Sequence, residues 1–504
     1  MPFSANTLSF VAAIVLSFVA SAVIPTPTSA LGTGDALLRS LSQLEVYPTA
    51  ALTVALGANV CVDLVAPAAS VLGDAITALD VPAADAELVE SEQAAARALA
   101  FHLGAAAERV ATPGVLAPLV ERATSAPSAR HTLGANAALM ARTLAARGAR
   151  VILGGPVGPV AASELPGVTF ALPLAANDEV HLILEYGAGE SVGGRTSPRA
   201  NRFILTADVA NSAGLAEGVA ATVAAAREHK ADLLVVSGLH MLEPLPAAAR
   251  AIAVAAVARS LRELADDSTG TPRVHVELAS VASISFLTEV ARAVLPHADS
   301  VGFNEQELAA LFEALGGRFG ADGGPSAPPD REAITGLVPT AVSVATALRH
   351  VYREFPRLSR AHFHALAYHV IAHRVTPATV TSGSITAGGW GDANVAVATG
   401  AVAGAEKACA LRAKDAKSDE FRVVSPSRVR VSDPEVNGNT EVRRLSLAAP
   451  TVNWTWALGG DSAEELVFAL APVPVCKAPR STVGLGDTIS ASALGADVPK
   501  IAEK

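Results

Sequence analysis

The sequence predicts an α/β protein with a doubly wound, mainly parallel sheet flanked by helices, together with a smaller, β-containing lid domain. Short apolar runs recur along the 504-residue chain, and alanine-rich segments with helical spacing separate them. Alternating strand and helix patterns of this kind are typical of a parallel sheet covered by helices. A region of different texture interrupts the first third, and the length suits one large domain with a smaller one attached.

The runs that we interpret as parallel strands are apolar and end at polar residues. The first run, Ala51–Val65, carries Asn59 and Asp63 near its end, as a strand does when it delivers side chains to a site at its carboxyl edge. Helical segments such as Leu215–Lys230 and Ala247–Asp267 lie between the later runs. Those later runs are Arg150–Leu153, Ala231–Ser237, Arg273–Leu278 and Ser300–Phe303.

The region from about residue 66 to 205 contains the predicted lid. Two strand-like runs, His181–Glu190 and Ala200–Thr206, are separated by a polar Gly/Ser/Pro loop, which favours a hairpin. The large domain is then predicted at residues 45–65 and 206–500. The polar or Gly/Pro-rich stretches Gly316–Asp330 and Lys414–Glu441 are predicted to be surface loops.

Composition excludes several classes of function. The formal charge of -10, from 38 Lys+Arg against 48 Asp+Glu, provides no basic stripe, so we expect no nucleic-acid partner. The three cysteines, Cys61, Cys409 and Cys476, have no CxxC spacing, so the sequence supports neither a zinc motif nor a dithiol redox motif. At most one disulfide can form.

The N-terminal segment predicts targeting. Ser9–Ile24 is apolar and uncharged, and a Pro/Thr-rich stretch follows it, so residues 1–30 are predicted to be a signal sequence or a signal anchor. This predicts the secretory pathway, in the endoplasmic reticulum or outside the cell, with membrane attachment only through this segment. The alternatives are an apolar tail or another targeting sequence, because no Lys or Arg precedes the run and the run is short for a span.

The strongest local signal for chemistry is Ser481–Ser490. Gly484 and Gly486 allow a tight turn, and Asp487 then opens a helix whose unpaired amides and dipole favour an anion. A carboxylate at this point can also accept the proton of a hydroxyl that attacks phosphorus. The alternative is a plain aspartate cap after a glycine turn.

Two acidic motifs follow apolar runs. His275 and Glu277 share one face of a predicted strand, where a buried carboxylate needs a partner or a cation, directly or through water. Asn304 and Glu307 open the next predicted helix and have the spacing of a capping box. Local backbone amides or the cap alone can explain each pair. Together with the Asp487 turn, the three motifs predict a nucleotide phosphoryl-transfer site.

The chain resembles the ADP-dependent glucokinases, in particular the animal-type members, which have a ribokinase-like fold. The resemblance runs in order from about residue 55 to 490. The matching blocks are NVCVDLV (59–65), GAAAER (104–109), LGANAALMA (133–141), LGGPVGP (153–159), VHLILEY (180–186), ANRFI (200–204), DLLVVSGLHM (232–241), VHVELAS (274–280), GFNEQEL (302–308), HFHALAYH (362–369) and VPVCKAPRSTVGLGD (473–487).

The resemblance implies transfer of the β-phosphoryl group of ADP to the 6-hydroxyl of glucose, with Mg²⁺ required. Asp487 would be the base, and the amides of Gly484, Leu485 and Gly486 would receive the anion. The metal and its waters would be held by Glu277, Glu307 and Asp487, with Asn304 and His275 behind them.

The resemblance also implies residues for the substrates. Arg202 would reach from the lid toward the phosphates, and a surface arginine on a hairpin is the alternative. Asp63, Gly134 and Asn136 would contact the sugar. Glu92 is a possible equivalent of a sugar-binding lid glutamate, although its spacing to the neighbouring block differs from the family pattern. Cys409 and Cys476 are compatible with a disulfide and with two reduced thiols.

Rival readings are an ATP-dependent sugar kinase, a fructose-6-phosphate-specific kinase of the same superfamily, and a catalytically silent nucleotide-binding relative. A phosphorylated acceptor calls for basic residues near the sugar contacts, and the blocks around Asp63 and Asn136 contain none. The histidines are expected to be packed or hydrogen-bonded, since His364 and His369 do not have the spacing of one helical face. These histidines are His240, His362, His364 and His369.

For the oligomeric state, we expect a monomer.

Overall fold

A computed structural model of the chain describes most of the predicted domains. The described residues are 31–44, 52–77, 83–86, 88–103, 107–192, 194–198, 200–265, 272–279, 281, 283–320, 329–376, 389–416, 419–436, 441–459, 463–480 and 483–498. The predicted signal, residues 1–30, lies outside them. Within the described part, every helix is too short or too polar to cross a bilayer.

Strands and helices alternate along the described chain. The strands are Thr53–Gly57 (β1), Cys61–Pro67 (β2), Leu88–Val89 (β3), Ala107–Ala111 (β4), Arg130–Gly134 (β5), Arg150–Leu153 (β6), Val168–Phe170 (β7), Val180–Tyr186 (β8), Ser191–Val192 (β9), Arg195–Thr196 (β10), Asn201–Thr206 (β11), Leu233–Val236 (β12), Arg273–Glu277 (β13), Ser300–Asn304 (β14), Arg360–His364 (β15), Tyr368–Val375 (β16), Phe421–Val423 (β17), Arg428–Arg430 (β18), Val442–Arg444 (β19), Val452–Ala457 (β20), Glu465–Pro472 (β21) and Pro474–Cys476 (β22). The α-helices are Gly34–Ser42 (α1), Ala68–Thr77 (α2), Glu92–Phe101 (α3), Pro113–Thr124 (α4), Asn136–Ala146 (α5), Pro159–Ser163 (α6), Val209–Glu228 (α7), Ala247–Ala265 (α8), Ile284–Val294 (α9), Glu305–Ala314 (α10), Arg331–Thr335 (α11), Ala341–Glu354 (α12), Ala393–Cys409 (α13) and Leu485–Asp497 (α14).

The larger sheet is doubly wound and mainly parallel, as predicted. Among the described strands its order is β20-β21-β16-β15-β14-β13-β12-β1-β6-β7. Every pair from β15 to β7 is parallel, whereas β16, β21 and β20 add an antiparallel edge. The central strands are buried along their length because helices cover both faces. Parallel order brings the carboxyl ends of β12, β13 and β14 to one edge.

A second, smaller sheet lies in the region predicted to contain the lid, with described strands in the order β3-β4-β11-β8-β2-β5. The predicted hairpin is confirmed, because β8 and β11 pair antiparallel with Leu184 opposite Phe203. Leu64, Leu184 and Phe203 belong to a core that also contains side chains of α2, α3 and α4. Because side chains alternate along strands, Asp63 and Arg202 lie on the other face of the sheet.

The run Ala51–Val65 is not one strand, as the sequence predicted, but two strands in different sheets. β1 lies in the larger sheet and β2 in the smaller one, so the chain crosses between them at Ala58–Val60. At this crossing the Asn211 side chain accepts a hydrogen bond from the Val60 amide at 3.0 Å and donates one to the Val60 carbonyl at 3.1 Å. These bonds replace strand partners, and hydrophobicity alone does not reveal them.

Two further stretches differ from the expected pattern. The predicted loop Lys414–Glu441 contains β17 and β18, which pair with β22 and β19. Within residues 66–205, β6 and β7 belong to the larger sheet. The smaller domain is therefore interleaved with the larger one through several crossings of the chain.

Helix α14 is positioned by close packing against α13. A Cβ atom at Gly404 would meet Ile489 Cγ1 at 2.8 Å, so a glycine permits this approach. The contact places the first turn of α14 beside the carboxyl edge of the larger sheet.

Candidate functional site

Asp487 lies in the first turn of α14, after Gly484 in the left-handed conformation with φ 64°. The first amides of a helix have no carbonyl partner within it, and their dipole favours negative charge. Asp487 is buried, and burial, followed by the charge of Glu277, raises the pKa of its carboxyl to about 6. The group is therefore mostly ionised near neutral pH and still basic enough to accept a proton.

Two asparagines orient the Asp487 carboxylate. Asn136, at the start of α5, donates from Nδ2 to Asp487 Oδ1 at 2.7 Å. Asn59, at the crossing between the sheets, donates to Asn136 Oδ1 at 3.3 Å. Its own Oδ1 accepts from the Ala137 amide at 3.0 Å and the Ser237 hydroxyl at 3.1 Å. The chain of bonds runs from β12 and the crossing to the acid, so Asn136 acts on Asp487 in addition to its predicted contact with the sugar.

Glu277 is a buried carboxylate at the end of β13. His275 Nε2 lies 2.9 Å from Glu277 Oε2, and the Ser490 hydroxyl donates to Oε1 at 2.8 Å. Burial alone would raise the pKa of Glu277, but hydrogen bonding and charge from His275 and His364 outweigh it and lower the pKa. The predicted placement of His275 and Glu277 on one face is confirmed. Ser490 also ties Glu277 to the helix that carries Asp487.

Glu307 forms the predicted capping box of α10 with Asn304. The Asn304 amide donates to Oε2 at 2.8 Å, and its side-chain nitrogen donates to Oε1 at 2.9 Å. Burial nevertheless raises the pKa of Glu307 to about 7. The charge of Glu277 contributes to this rise. The capping reading of this motif is confirmed, and its role in metal binding stays a prediction.

A buried chain of polar contacts continues behind Glu277. His275 Nδ1 lies 2.8 Å from Ser300 Oγ, which accepts a hydrogen bond from Arg360 at 3.1 Å. Arg360 Nε donates to Asp497 Oδ2 at 2.5 Å, and His373 Nε2 lies 3.0 Å from the same oxygen. Because Asp497 ends α14, both ends of this helix are anchored to the sheet.

Asp63 lies on the cleft face of the smaller sheet, beside Gly134 on β5. Burial raises the pKa of the Asp63 carboxyl, and the charges of His181 and Arg202 oppose the shift. A Cβ atom at position 134 would meet Asp63 Oδ1 at 2.4 Å and Cys61 Sγ at 2.6 Å, so the position needs glycine. Asp63 and Gly134 therefore lie directly against each other on neighbouring strands.

Glu92 lies apart from this wall. It begins α3, in the helical layer on the opposite face of the smaller sheet from Asp63, and its Oε1 lies 3.0 Å from NH2 of Arg122. The sheet itself separates the two carboxylates. The structure thus places Gly134 beside Asp63 and two residues before Asn136, whereas Glu92 lies on the other face of the sheet.

Basic residues from both domains line a cavity of about 380 Å³ next to the site. Arg202 enters the cavity from β11. Lys407 lies at the end of α13, and burial lowers the pKa of its ammonium group while the charge of Asp487 acts to raise it. Arg130 and Arg142 flank the sequence block around Asn136, whereas Arg202, Lys407 and Arg480 are distant from it along the chain, so the blocks themselves showed no such cluster. The charged lining residues are Arg130, Arg142, Arg202, Lys407, Arg480, Glu164 and Glu185, with His131 beside them.

A second cavity, of about 190 Å³, lies on the other side of Gly486 and is mainly apolar. Cys476 lines it and forms a disulfide with Cys409, with Cα atoms 5.6 Å apart. Its mainly apolar lining is typical of cavities that accept an aromatic group. Other lining residues are Asn304, Glu305, His364, His369, Val473, Val475, Leu485 and Ile489.

The histidines near this cavity lie on the β15–β16 hairpin and not on a helix. His364 and His369 face each other across the two strands, with ring centroids 6.4 Å apart. Among the described residues, one group, Cys61, Asp63 and His181, has side-chain donors spaced for a metal, and the hairpin histidines are not part of it.

Several residues of the site carry no local sequence signal. His181 reaches Asp63 only because β2 and β8 are neighbours, and Ser490 reaches Glu277 across 213 positions. Asn59 was visible as a polar residue after an apolar run, but its contact with Asn136 was not. Knowledge of the strand order would be needed to find all three.

Comparisons with known proteins identify relatives of this chain. Residues 52–496 match a family model described as the ADP-specific phosphofructokinase/glucokinase conserved region. The chain is 34% identical to the ADP-dependent glucokinase of Bos taurus over 88% of this chain and 83% of that protein. It is 30% identical to a probable ADP-dependent glucokinase of Caenorhabditis elegans over 87% and 84% of the two chains.

The fold is also similar to a solved structure, the last common ancestor of ADP-dependent phosphofructokinases from Methanosarcinales. The TM-score is 0.59 at 15% identity, and the match covers 94% of this chain and 97% of the other. At this identity the likeness concerns the fold alone.

Proposed function

Because the chain belongs to the ADP-specific phosphofructokinase/glucokinase family, we propose that it transfers the β-phosphoryl group of ADP to the 6-hydroxyl of D-glucose. The products are glucose 6-phosphate and AMP. The predicted ribokinase-like α/β fold is confirmed. The observation that carries the reaction is the buried Asp487 carboxylate at a helix N-terminus, oriented by Asn136.

In the proposed reaction, the acceptor hydroxyl attacks the β-phosphorus as Asp487 takes its proton. A bond forms from the hydroxyl oxygen to phosphorus, the bond from phosphorus to the bridging oxygen breaks, and AMP leaves. The amides of Gly484, Leu485 and Gly486 face the charge that develops on the transferred group. Arg202 and Lys407 add positive charge from the two sides of the cleft.

The acidic residues fit a hydrated divalent cation, which we propose to be Mg²⁺. Both oxygens of Glu277 and of Glu307 already accept or contact a protein donor, yet each oxygen has a further lone pair. Such carboxylates suit the waters of Mg²⁺, which retains several of them when bound. The cation would neutralise phosphate charge. His275 and Asn304 hold the carboxylates in place.

The basic cavity is an observation that favours the alternative acceptor, a phosphorylated sugar. Five cationic side chains line it against two glutamates, so a phosphorylated sugar such as fructose 6-phosphate has charges to bind. The same residues suit the phosphates of ADP. We favour glucose because relatives at 30–34% identity over most of the chain are named glucokinases.

The test is a purified-protein assay with each combination of donor and acceptor. We expect turnover with ADP and glucose in the presence of Mg²⁺, and loss of turnover when EDTA removes the metal. AMP and glucose 6-phosphate should form in equal amounts. Faster turnover with fructose 6-phosphate than with glucose would identify the chain as a phosphofructokinase. Equal use of ATP would refute the proposal that ADP is the specific donor.

Gly134→Ala is expected to weaken acceptor binding. The new methyl group would overlap Asp63 and Cys61, so the Asp63 carboxylate must move. Displacing a positioning group by about 1 Å costs up to a hundredfold, and we expect the KM for glucose to rise about ten- to a hundredfold. The KM for ADP should change little.

Gly114→Ala is the matched control, because a Cβ atom there meets nothing within 4 Å. It lies in the first turn of α4, in the same domain. An unchanged glucose KM in Gly134→Ala would remove Asp63 and Gly134 from the acceptor pocket.

We also propose that the chain enters the secretory pathway through its N-terminal segment and acts as a monomer. The Cys409–Cys476 disulfide supports the first point, because disulfides persist mainly in oxidising compartments. Cell fractionation and light scattering of the purified protein check these two points.

A further inference from the structure

Cys61, Asp63 and His181 form a compact set of metal-binding atoms that the reaction above does not use as such. Cys61 and Asp63 lie two residues apart on β2, and His181 is the register partner of Asp63 on β8. One donor atom from each side chain lies within 4.8 Å of the other two. Thiolate, carboxylate and imidazole together are the ligands of zinc.

The spacing of these atoms is close to that of a tetrahedral site. With ligand bonds of about 2.0 to 2.3 Å, Zn²⁺ holds sulfur and oxygen about 3.6 Å apart, and nitrogen and oxygen about 3.4 Å apart. Here Cys61 Sγ lies 3.8 Å from Asp63 Oδ1, and His181 Nδ1 lies 3.9 Å from the same oxygen. Binding thus needs only small rotations of the side chains.

A second observation concerns the outer nitrogen of His181. Its Nε2 lies 2.8 Å from Asp208 Oδ1, and Asp208 is in turn hydrogen-bonded by Asn211 at 3.2 Å. When Nε2 carries the proton, Nδ1 presents its lone pair to Cys61 and Asp63. A carboxylate behind a histidine is the usual outer partner of a metal-bound imidazole.

We propose that these three residues bind Zn²⁺ at the acceptor pocket and that the metal excludes the sugar. The ion would be held by Cys61 Sγ, Asp63 Oδ1 and His181 Nδ1, and the thiol proton would pass to solvent. Mg²⁺ would not compete, because it prefers oxygen ligands alone. The metal would exclude the sugar because Zn²⁺ and the sugar both bind the Asp63 carboxylate. The exclusion of the sugar rests on the proposed function, whereas the binding of Zn²⁺ does not.

Cobalt(II) provides a direct test, because Cys61 is the one free thiol. The sequence has three cysteines, and Cys409 and Cys476 are joined in the disulfide. We expect Co²⁺ to produce a thiolate-to-cobalt charge-transfer band and the visible bands of four-coordinate cobalt, and Zn²⁺ to remove both. A spectrum of six-coordinate cobalt without the charge-transfer band would overturn the proposal.

Variants separate this site from adventitious binding. Cys61→Ser should abolish the charge-transfer band and weaken Zn²⁺ binding about a hundredfold or more, and Asp208→Asn should weaken it about ten- to a hundredfold. His229→Gln is the control, since His229 contacts Arg150 at a helix end away from the group. Should Cys61→Ser fail to fold, Asp208→Asn and the parent spectrum still decide the matter. Equal Zn²⁺ affinity in Asp208→Asn and the parent would contradict the role given to His181.

Kinetics test the exclusion of the sugar. With Mg²⁺ saturating, micromolar Zn²⁺ should raise the KM for glucose without lowering kcat at saturating glucose, and glucose should reduce the cobalt band. A protein that shows the band but no turnover would refute the proposed function and leave the metal site standing. An active protein without the band would refute the metal site and leave the proposed function standing.

Discussion

Asp487→Asn is expected to lower kcat by at least about a hundredfold, because the amide cannot accept the proton of the attacking hydroxyl. The substitution keeps the shape of the side chain and leaves an oxygen that can accept the hydrogen bond from Asn136. KM values for ADP and glucose should stay within a few-fold of the parent. Steady-state kinetics on the purified variant measure both effects.

The pH dependence of the activity of the parent enzyme should report the ionisation of the Asp487 carboxyl. Burial and the charge of Glu277 raise the pKa of Asp487 to about 6, so the basic form is lost as the pH falls through that value. At pH 5 we expect kcat/KM, which reports the ionisation of the free enzyme, to be about a tenth of its plateau. The exposed Asp74 on α2 supplies the control Asp74→Asn, which should retain full activity. Parental activity in Asp487→Asn would refute the assignment of the base.

Asp497→Asn is expected to destabilise the fold by about 3–5 kcal/mol, the usual cost of leaving a buried charge without its partner. Asp497 and Arg360 are both fully buried, and His373 contacts the same carboxylate oxygen. Burial alone would raise the pKa of Asp497, but the charges of His373 and Arg360 lower it to about 2. Because this lies below the value near 3.9 in an unfolded chain, the stabilisation is present above pH 4 and is lost as pH falls toward 2.

Urea denaturation of parent and variant at pH 7 measures the change in the free energy of unfolding. The control is Glu313→Gln, which removes a partly exposed ion pair with Arg331 and should cost no more than about 1 kcal/mol. Equal midpoints for Asp497→Asn and the parent would show that Arg360 finds another partner.

The parts of the site that follow strands in the sequence were predictable. The pair His275 and Glu277 follows from strand alternation, and the cap formed by Asn304 and Glu307 follows from helix-start spacing, and both geometries are confirmed. The Asp487 turn was visible because glycine and aspartate have strong local preferences. These inferences need only a few neighbouring residues.

Contacts between distant segments were not predictable in the same way. The basic cavity joins Arg202 to Lys407 and Arg480, and composition gave no sign of it. The break in Ala51–Val65 was missed because both halves are apolar, and only the sheet that each half joins tells them apart. The histidines of β15 and β16 were judged by helical spacing, whereas a hairpin brings them together.

The crossing at Ala58–Val60 links the angle between the two domains to the aim of the base. Asn59 sits on this joint, and its side chain passes through Asn136 to the Asp487 carboxylate. Because Asn59 lies where the chain passes from one sheet to the other, we expect a change in the angle between the domains to alter the hydrogen bond that orients the Asp487 carboxylate.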